Sequence, residues 1–182
     1  MKKLLLVTLI SVLGFTNVNA QDIQFGAKAG LNFASVVGDY SDDFDTVTAF
    51  NFGVMAEIPI SSTFSFQPEL IFSGQGYSIG DDVVALNYLN VPLMAKYYVT
   101  QGFSVQAGPQ VGFLLNVNDD DLGIEDSFNT VDFGINLGLG YKLKNGLNFD
   151  ARYNIGLTNI NEIDSINNKN GVFQVSVGYF FF

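Results

Sequence analysis

The segment FGINLGLGYKLKNGLNFDARYNIGL, Phe133 to Leu157, alternates apolar and polar residues almost without a break. One series reads Phe133, Ile135, Leu137, Leu139, Tyr141 and Leu143. After KNG it resumes as Leu147, Phe149, Ala151, Tyr153, Ile155 and Leu157. A period of two marks a strand with two unlike faces, and two such runs around a tight turn make a hairpin.

The pattern recurs along the chain and predicts eight strands. Six precede or follow the hairpin: about Ile23–Phe33, Ala49–Ile58, Phe64–Ser73, Tyr88–Val99, Phe103–Leu115 and Val172–Phe182. Their connections alternate in length. Ala34–Thr48, Gly74–Asn87, Asn116–Thr130 and Asn159–Gly171 are long, while Pro59–Thr63, Thr100–Gly102 and Lys144–Gly146 are short. An up-and-down meander puts all short turns at one end and all long loops at the other. Keeping one face apolar sets Val99 opposite Phe103 and Leu143 opposite Leu147. The turns TQG and KNG then have three residues with Gly third, where the common three-residue hairpin needs a left-handed residue. Pro68, Pro92 and Pro109 fall within strands, where bulges or locally broken ladders are expected.

Composition agrees with dispersed hydrophobicity. Residues are 48% hydrophobic and only 14% charged, with 18 Phe and 8 Tyr, yet no apolar run reaches the ~20 residues of a membrane-spanning helix. The opening MKKLLLVTLISVLGFTNVNA reads as a secretory signal: basic Lys2 and Lys3, an apolar stretch from Leu4 to Phe15, and a cleavage site after Ala20. The expected domains are a signal over 1–20 and one barrel over 21–182. Without the leader, 6 basic and 18 acidic residues remain, a balance that repels nucleic acid. The absence of Cys removes disulfides and thiolate metal sites, and the absence of His removes the commonest general base. No spacing marks a Ser or Thr nucleophile, so a non-enzymatic protein without a cofactor is expected.

Alternation does not say which face meets water. A soluble barrel, such as a periplasmic carrier of a lipid-like ligand, turns its apolar face inward; a membrane barrel turns it outward. The apolar face of the eight runs carries no charge and many rings, with Phe64, Phe103, Phe113, Tyr141 and Tyr179 near strand ends. Eight strands enclose a space just wide enough for side chains, too small for so many rings. The polar face is rich in Gly, Asn and Gln, and its charges balance: Lys28, Lys96, Lys142 and Arg152 against Glu57, Glu69, Asp132 and Asp150. Unpaired charge in a confined interior is costly, so these eight are the candidate lumen network, with Lys142 and Asp150 diagonal neighbours across the hairpin. About 10 residues rising ~3.3 Å each at ~40° tilt cover an apolar band of roughly 25 Å. The fold expected is all-β: an eight-stranded antiparallel up-and-down transmembrane β-barrel, monomeric, with a filled polar lumen.

Three ordered segments carry a family resemblance: QPELIFSGQGY (Gln67–Tyr77), YLNVPLMAKYYV (Tyr88–Val99) and AGPQVGFLL (Ala107–Leu115), after an opening FGAKAGLNFA (Phe25–Ala34). Together they resemble the PorT-like outer-membrane β-barrels of Bacteroidota. The resemblance implies a small barrel in the outer membrane of a Gram-negative bacterium. It also brings a link to protein secretion, hence a second alternative as an accessory of a secretion system. The aromatic end VSVGYFFF is the kind of finish that barrel-assembly machinery receives. The expected surroundings are outer-membrane lipid and lipopolysaccharide.

The four long connections hold 13 acidic residues and one basic residue, Lys169. NDDDLGIED (Asn118–Asp126) lacks the EF-hand spacing and reads as a solvated acidic loop. Phe44 and Phe128 are the candidate exposed aromatics of the long connections for a protein partner. Acids facing anionic lipopolysaccharide call for bridging divalent cations. The expected outcome is a melting temperature higher in Ca²⁺ than in EDTA; equal values would remove the idea.

Overall fold

A computed structural model describes residues 23–38, 45–80, 82–119, 128–160 and 168–181. Eight strands follow in order: β1 (Gln24–Gly38), β2 (Asp45–Pro59), β3 (Phe64–Ile79), β4 (Asp82–Tyr98), β5 (Phe103–Asp119), β6 (Val131–Lys142), β7 (Leu147–Gly156) and β8 (Asn168–Phe180). Each pairs antiparallel with its neighbours in sequence, and β1 pairs with β8 from Gly26↔Phe180 to Gly38↔Asn168, closing the barrel. Closure leaves no open edge in the wall, which a sheet in lipid requires. The signal sequence, Phe44, Phe182 and most of NDDDLGIED lie outside the described residues.

The turn chemistry sets the register. Val99 N–H donates to Phe103 O (3.0 Å) and Leu143 N–H to Leu147 O (2.8 Å). These are the three-residue loops expected from TQG and KNG. Gly102 and Gly146 hold φ values of 89° and 91°, a left-handed conformation that disfavours any residue with a β-carbon.

That register turns the apolar series outward. Phe50 is 73% exposed, and Phe25, Phe52, Leu137, Leu139, Val177 and Tyr179 stand out from the wall with it. Phe33 and Phe173, paired across β1–β8, stack with ring centroids 6.2 Å apart; Phe52 and Phe72 stack at 5.0 Å. Lys28, Glu69 and Arg152 are buried inside. This overturns the soluble-carrier alternative, whose apolar side chains would fill the interior.

The prolines open ladders without shifting them. Pairing on β3–β4 passes from Pro68↔Leu93 to Ile71↔Asn90, and on β4–β5 from Pro92↔Gln110 to Ala95↔Ala107. The bulges lie nearer the long-loop end: one on β2–β3 between Thr46 and Asn51, one on β4–β5 at Asn87/Tyr88. At the second, Tyr88 faces Leu114 and Asn87 faces Asn116, so Leu115 is the extra residue. The inward parity of β5 flips there, and Leu114 and Val117 both reach the interior.

The strands outrun their sequence-based limits at the long-loop end. Gly74–Asn87 is not a long loop: β3 and β4 continue to a tight hairpin with Ile79 opposite Asp82. The alternation had lost contrast because the interior itself becomes apolar at this height. Val36, Tyr77, Val84, Leu86, Tyr88, Phe128 and Ile160 form a buried cluster. Phe128 is therefore a packed interior ring and not an exposed aromatic.

A charge on the outward face discriminates lipid contact from water contact. Leu137→Arg, on the exposed face of β6, is expected to lower unfolding stability in bilayers by about 2–4 kcal/mol. Urea titration of the protein in lipid vesicles measures it; a near-zero change would mean that this face meets water.

Candidate functional site

The interior is layered along the barrel axis. At the short-turn end, Glu57 on β2 gathers three donors. Lys142 Nζ lies 3.0 Å and Lys96 Nζ 3.4 Å from Glu57 Oε2, and Tyr98 Oη donates to Glu57 Oε1 at 2.5 Å. Lys96 also donates to Gln67 Oε1 (3.0 Å), and Lys142 to Gln24 Oε1. Both ammonium groups lie over the Phe180 ring, at 5.8 and 4.3 Å from its centroid. A funnel between the short turns, lined by Gln24, Ser65, Tyr98 and Lys142 among others, leads to this cluster.

One layer deeper, Glu69 on β3 is the hub. Arg152 on β7 reaches across the lumen to both its oxygens, Nη1 to Oε2 at 2.9 Å and Nη2 to Oε1 at 3.0 Å. Lys28 Nζ on β1 lies 2.7 Å from Oε2, and Gln67 Nε2 donates to Oε1 at 2.7 Å. Arg152 Nη2 also stands 3.6 Å from Asp150 Oδ1, while Asp150 accepts from Gln106 Nε2 (2.6 Å) and from Asn148. A bidentate guanidinium–carboxylate pair is among the strongest polar contacts, because both members are ionised and the fork fixes the geometry.

Amides fill the middle. Asn51 donates to Asn32 Oδ1 (2.9 Å), Asn32 to Ser73 Oγ (2.9 Å), and Gln174 to Asn32 Oδ1 (2.9 Å). Opposite them, Asn136 donates to Gln110 Oε1 (3.0 Å). Above this belt stands Asp132, then the apolar cluster.

All eight residues of the candidate network point inward, but not as one network. Glu57, Lys96 and Lys142 make one cluster, and Glu69, Lys28, Arg152 and Asp150 another. Asp132 joins neither: it accepts from Thr158 Oγ1 (2.5 Å) and Asn170 Nδ2 (3.0 Å), both neutral. Lys142 and Asp150 occupy the diagonal expected, since Lys142 pairs with Asn148 and Gly140 with Asp150. Yet Lys142 reaches across the lumen to Glu57, and Gln24 Oε1 accepts from it there as well. Sequence reasoning missed Tyr98, which shares the inward parity of Lys96, and Tyr88 with Asn170, which lay in or beside segments read as loop.

An apolar outer wall around a closed sheet with buried ion pairs defines a transmembrane β-barrel. The family model of the outer membrane protein beta-barrel domain matches residues 19–162, and the chain belongs to that family. Solved structures share the fold. Neisserial surface protein A aligns with 14% identity and a TM-score of 0.61, over 88% of this chain and 100% of its own. Ail, the attachment invasion locus protein of Yersinia pestis, gives 14% and 0.57 over the same shares. OprG of Pseudomonas aeruginosa gives 14% and 0.50, over 87% of this chain and 95% of its own. No curated protein matches the sequence.

The hub predicts a large asymmetric cost. Glu69→Gln leaves Lys28 and Arg152 buried against a neutral group, and breaking such a cluster from one side costs about 3–5 kcal/mol. Equilibrium unfolding in detergent or vesicles should show that loss, and a change under ~1 kcal/mol would mean that water already screens the site.

Proposed function

We propose that this protein is a non-conducting, non-enzymatic small barrel of the PorT-like type. It would serve the outer membrane as a structural element or as a surface-contact protein through its long-loop end. The observation that carries the reading is the Glu69–Arg152–Lys28 cluster, which joins β3, β7 and β1 across the lumen. The apolar cluster of Tyr77, Val84, Leu86, Tyr88, Phe128 and Ile160 nearer the loops supports it further. An eight-stranded lumen is just wide enough for side chains, so these contacts leave an ion no hydrated path. No His or Cys is present to activate a nucleophile.

Surface contact draws support from the loops' composition and from the company the fold keeps. Ail has been solved in complex with a heparin analogue, sucrose octasulfate. A polyanion is the wrong partner for this chain, whose long connections carry 13 acidic residues against one basic residue; like charges repel across a shared surface. The partner chemistry that fits is cationic.

Planar-bilayer recording tests the sealed reading. Purified protein reconstituted at single-molecule density is expected to give no stepwise conductance in molar salt. Reproducible steps would overturn it.

A further inference from the structure

Asp132 is, among the described residues, the interior carboxylate that no Lys or Arg approaches within ion-pair distance. It is 6% exposed, and the side chains that donate to it, Thr158 and Asn170, are neutral. What surrounds it is more acceptor. Asn90 Oδ1, Asn154 Oδ1 and Asn168 Oδ1 are buried with no hydrogen-bond partner, and each of these residues is 5% exposed. The region is short of positive charge.

The Asn90 oxygen belongs to the same row of the wall as Asp132. Asn90 on β4 pairs with Gly112 on β5, and Gly112 pairs with Asp132 on β6. A β-carbon placed on Gly112 would lie 2.7 Å from Asn90 Oδ1, 3.7 Å from Asp132 Cβ and 3.4 Å from Tyr88 Cδ1. With glycine there, amide oxygen and acid face each other over bare backbone. Gly134, the next inward residue of β6, makes room for the Asn154 amide, whose Nδ2 and Oδ1 lie 2.8 and 3.1 Å from its β-carbon point. Asn168 is the inward residue beside Asn170 on β8, and Asn170 Nδ2 also reaches Tyr88 Oη at 3.5 Å.

Carboxylate, amide and hydroxyl oxygens are the donor set of hard cations. One carboxylate balances one positive charge, whereas a divalent ion would leave surplus charge in a confined interior. We propose that Asp132 and the facing amide oxygen of Asn90, with Asn168 beside Asn170 on β8, bind a sodium-type monovalent cation beneath the apolar cluster. A water molecule could satisfy the amides but would leave the acid's charge uncompensated. The cation does so without a lysine, and the apolar residues above it slow its exchange.

The test is unfolding of the full barrel, refolded into vesicles in NaCl or in choline chloride at equal ionic strength. In wild type the melting temperature is expected to rise with Na⁺ and to saturate. At ten times the dissociation constant the folded-to-unfolded ratio gains a factor of about 11. Asp132→Asn should abolish the Na⁺ response, while Asp150→Asn, in the other cluster, should keep it even if less stable. Uptake of ²²Na⁺ during refolding, retained by wild type and lost in Asp132→Asn, reads binding without relying on stability. Three results would overturn the proposal: no Na⁺ response in wild type, an equal response in Asp132→Asn, or a response to Ca²⁺ alone that Asp132→Asn retains, which would place binding in the acidic loops.

Discussion

The backbone of this chain must satisfy its own polar groups, because its outer side chains offer it to lipid. Each unpaired amide in hydrocarbon costs several kcal/mol, and the wall answers by pairing β1 with β8. Much else follows from that closure. It confines the inward face to a narrow column, admits glycine and short amides there, and forces every ionised group to find a partner or a substitute for one. Pro68 and Pro92 sit at the limit of what the wall tolerates: both interrupt pairing, yet the register on either side is unchanged.

Within the column, polarity is graded from charged near the short turns, through amides, to apolar near the loops. The charged layers join distant strands: Arg152 and Glu69 are separated by 83 residues in sequence and meet side by side. Such contacts do more to specify the shape of the interior than to stabilise it, since the desolvation of each ion offsets much of the attraction. Their arrangement around two acidic hubs, each with more than one cation, leaves the remaining carboxylate to the amide-rich layer.

The wall was legible in the sequence because its two faces contrast strongly. Leu137 beside Gly138 and Asn136 leaves no doubt about period or register, and glycine in TQG and KNG fixes the turn geometry. Legibility ended where contrast did. From Tyr77 through Val84 and Leu86 the inward residues are as apolar as the outward ones, so paired strands looked like a loop. The candidate charges were readable as inward by parity, but not by partner. Lys142 and Asp150 are neighbours in the plane of the sheet, whereas Glu57 lies across the lumen, and local register carries no information about that third dimension. The chain belongs to the broader outer-membrane barrel family, and its segments that resemble PorT-like proteins lie within the matching residues 19–162.

The extra residue at Leu115 gives the barrel a joint between wall and rim. Below it, β5 presents even-numbered residues to the lumen; beyond it, Val117 takes that part. A phase change of this kind uncouples two stretches of one strand. Residues can be gained or lost on the rim side, and the same bulge can absorb the difference, while the lower stretch keeps its facing. On β5 the rim side thus takes its own phase, on a base whose facing it does not disturb.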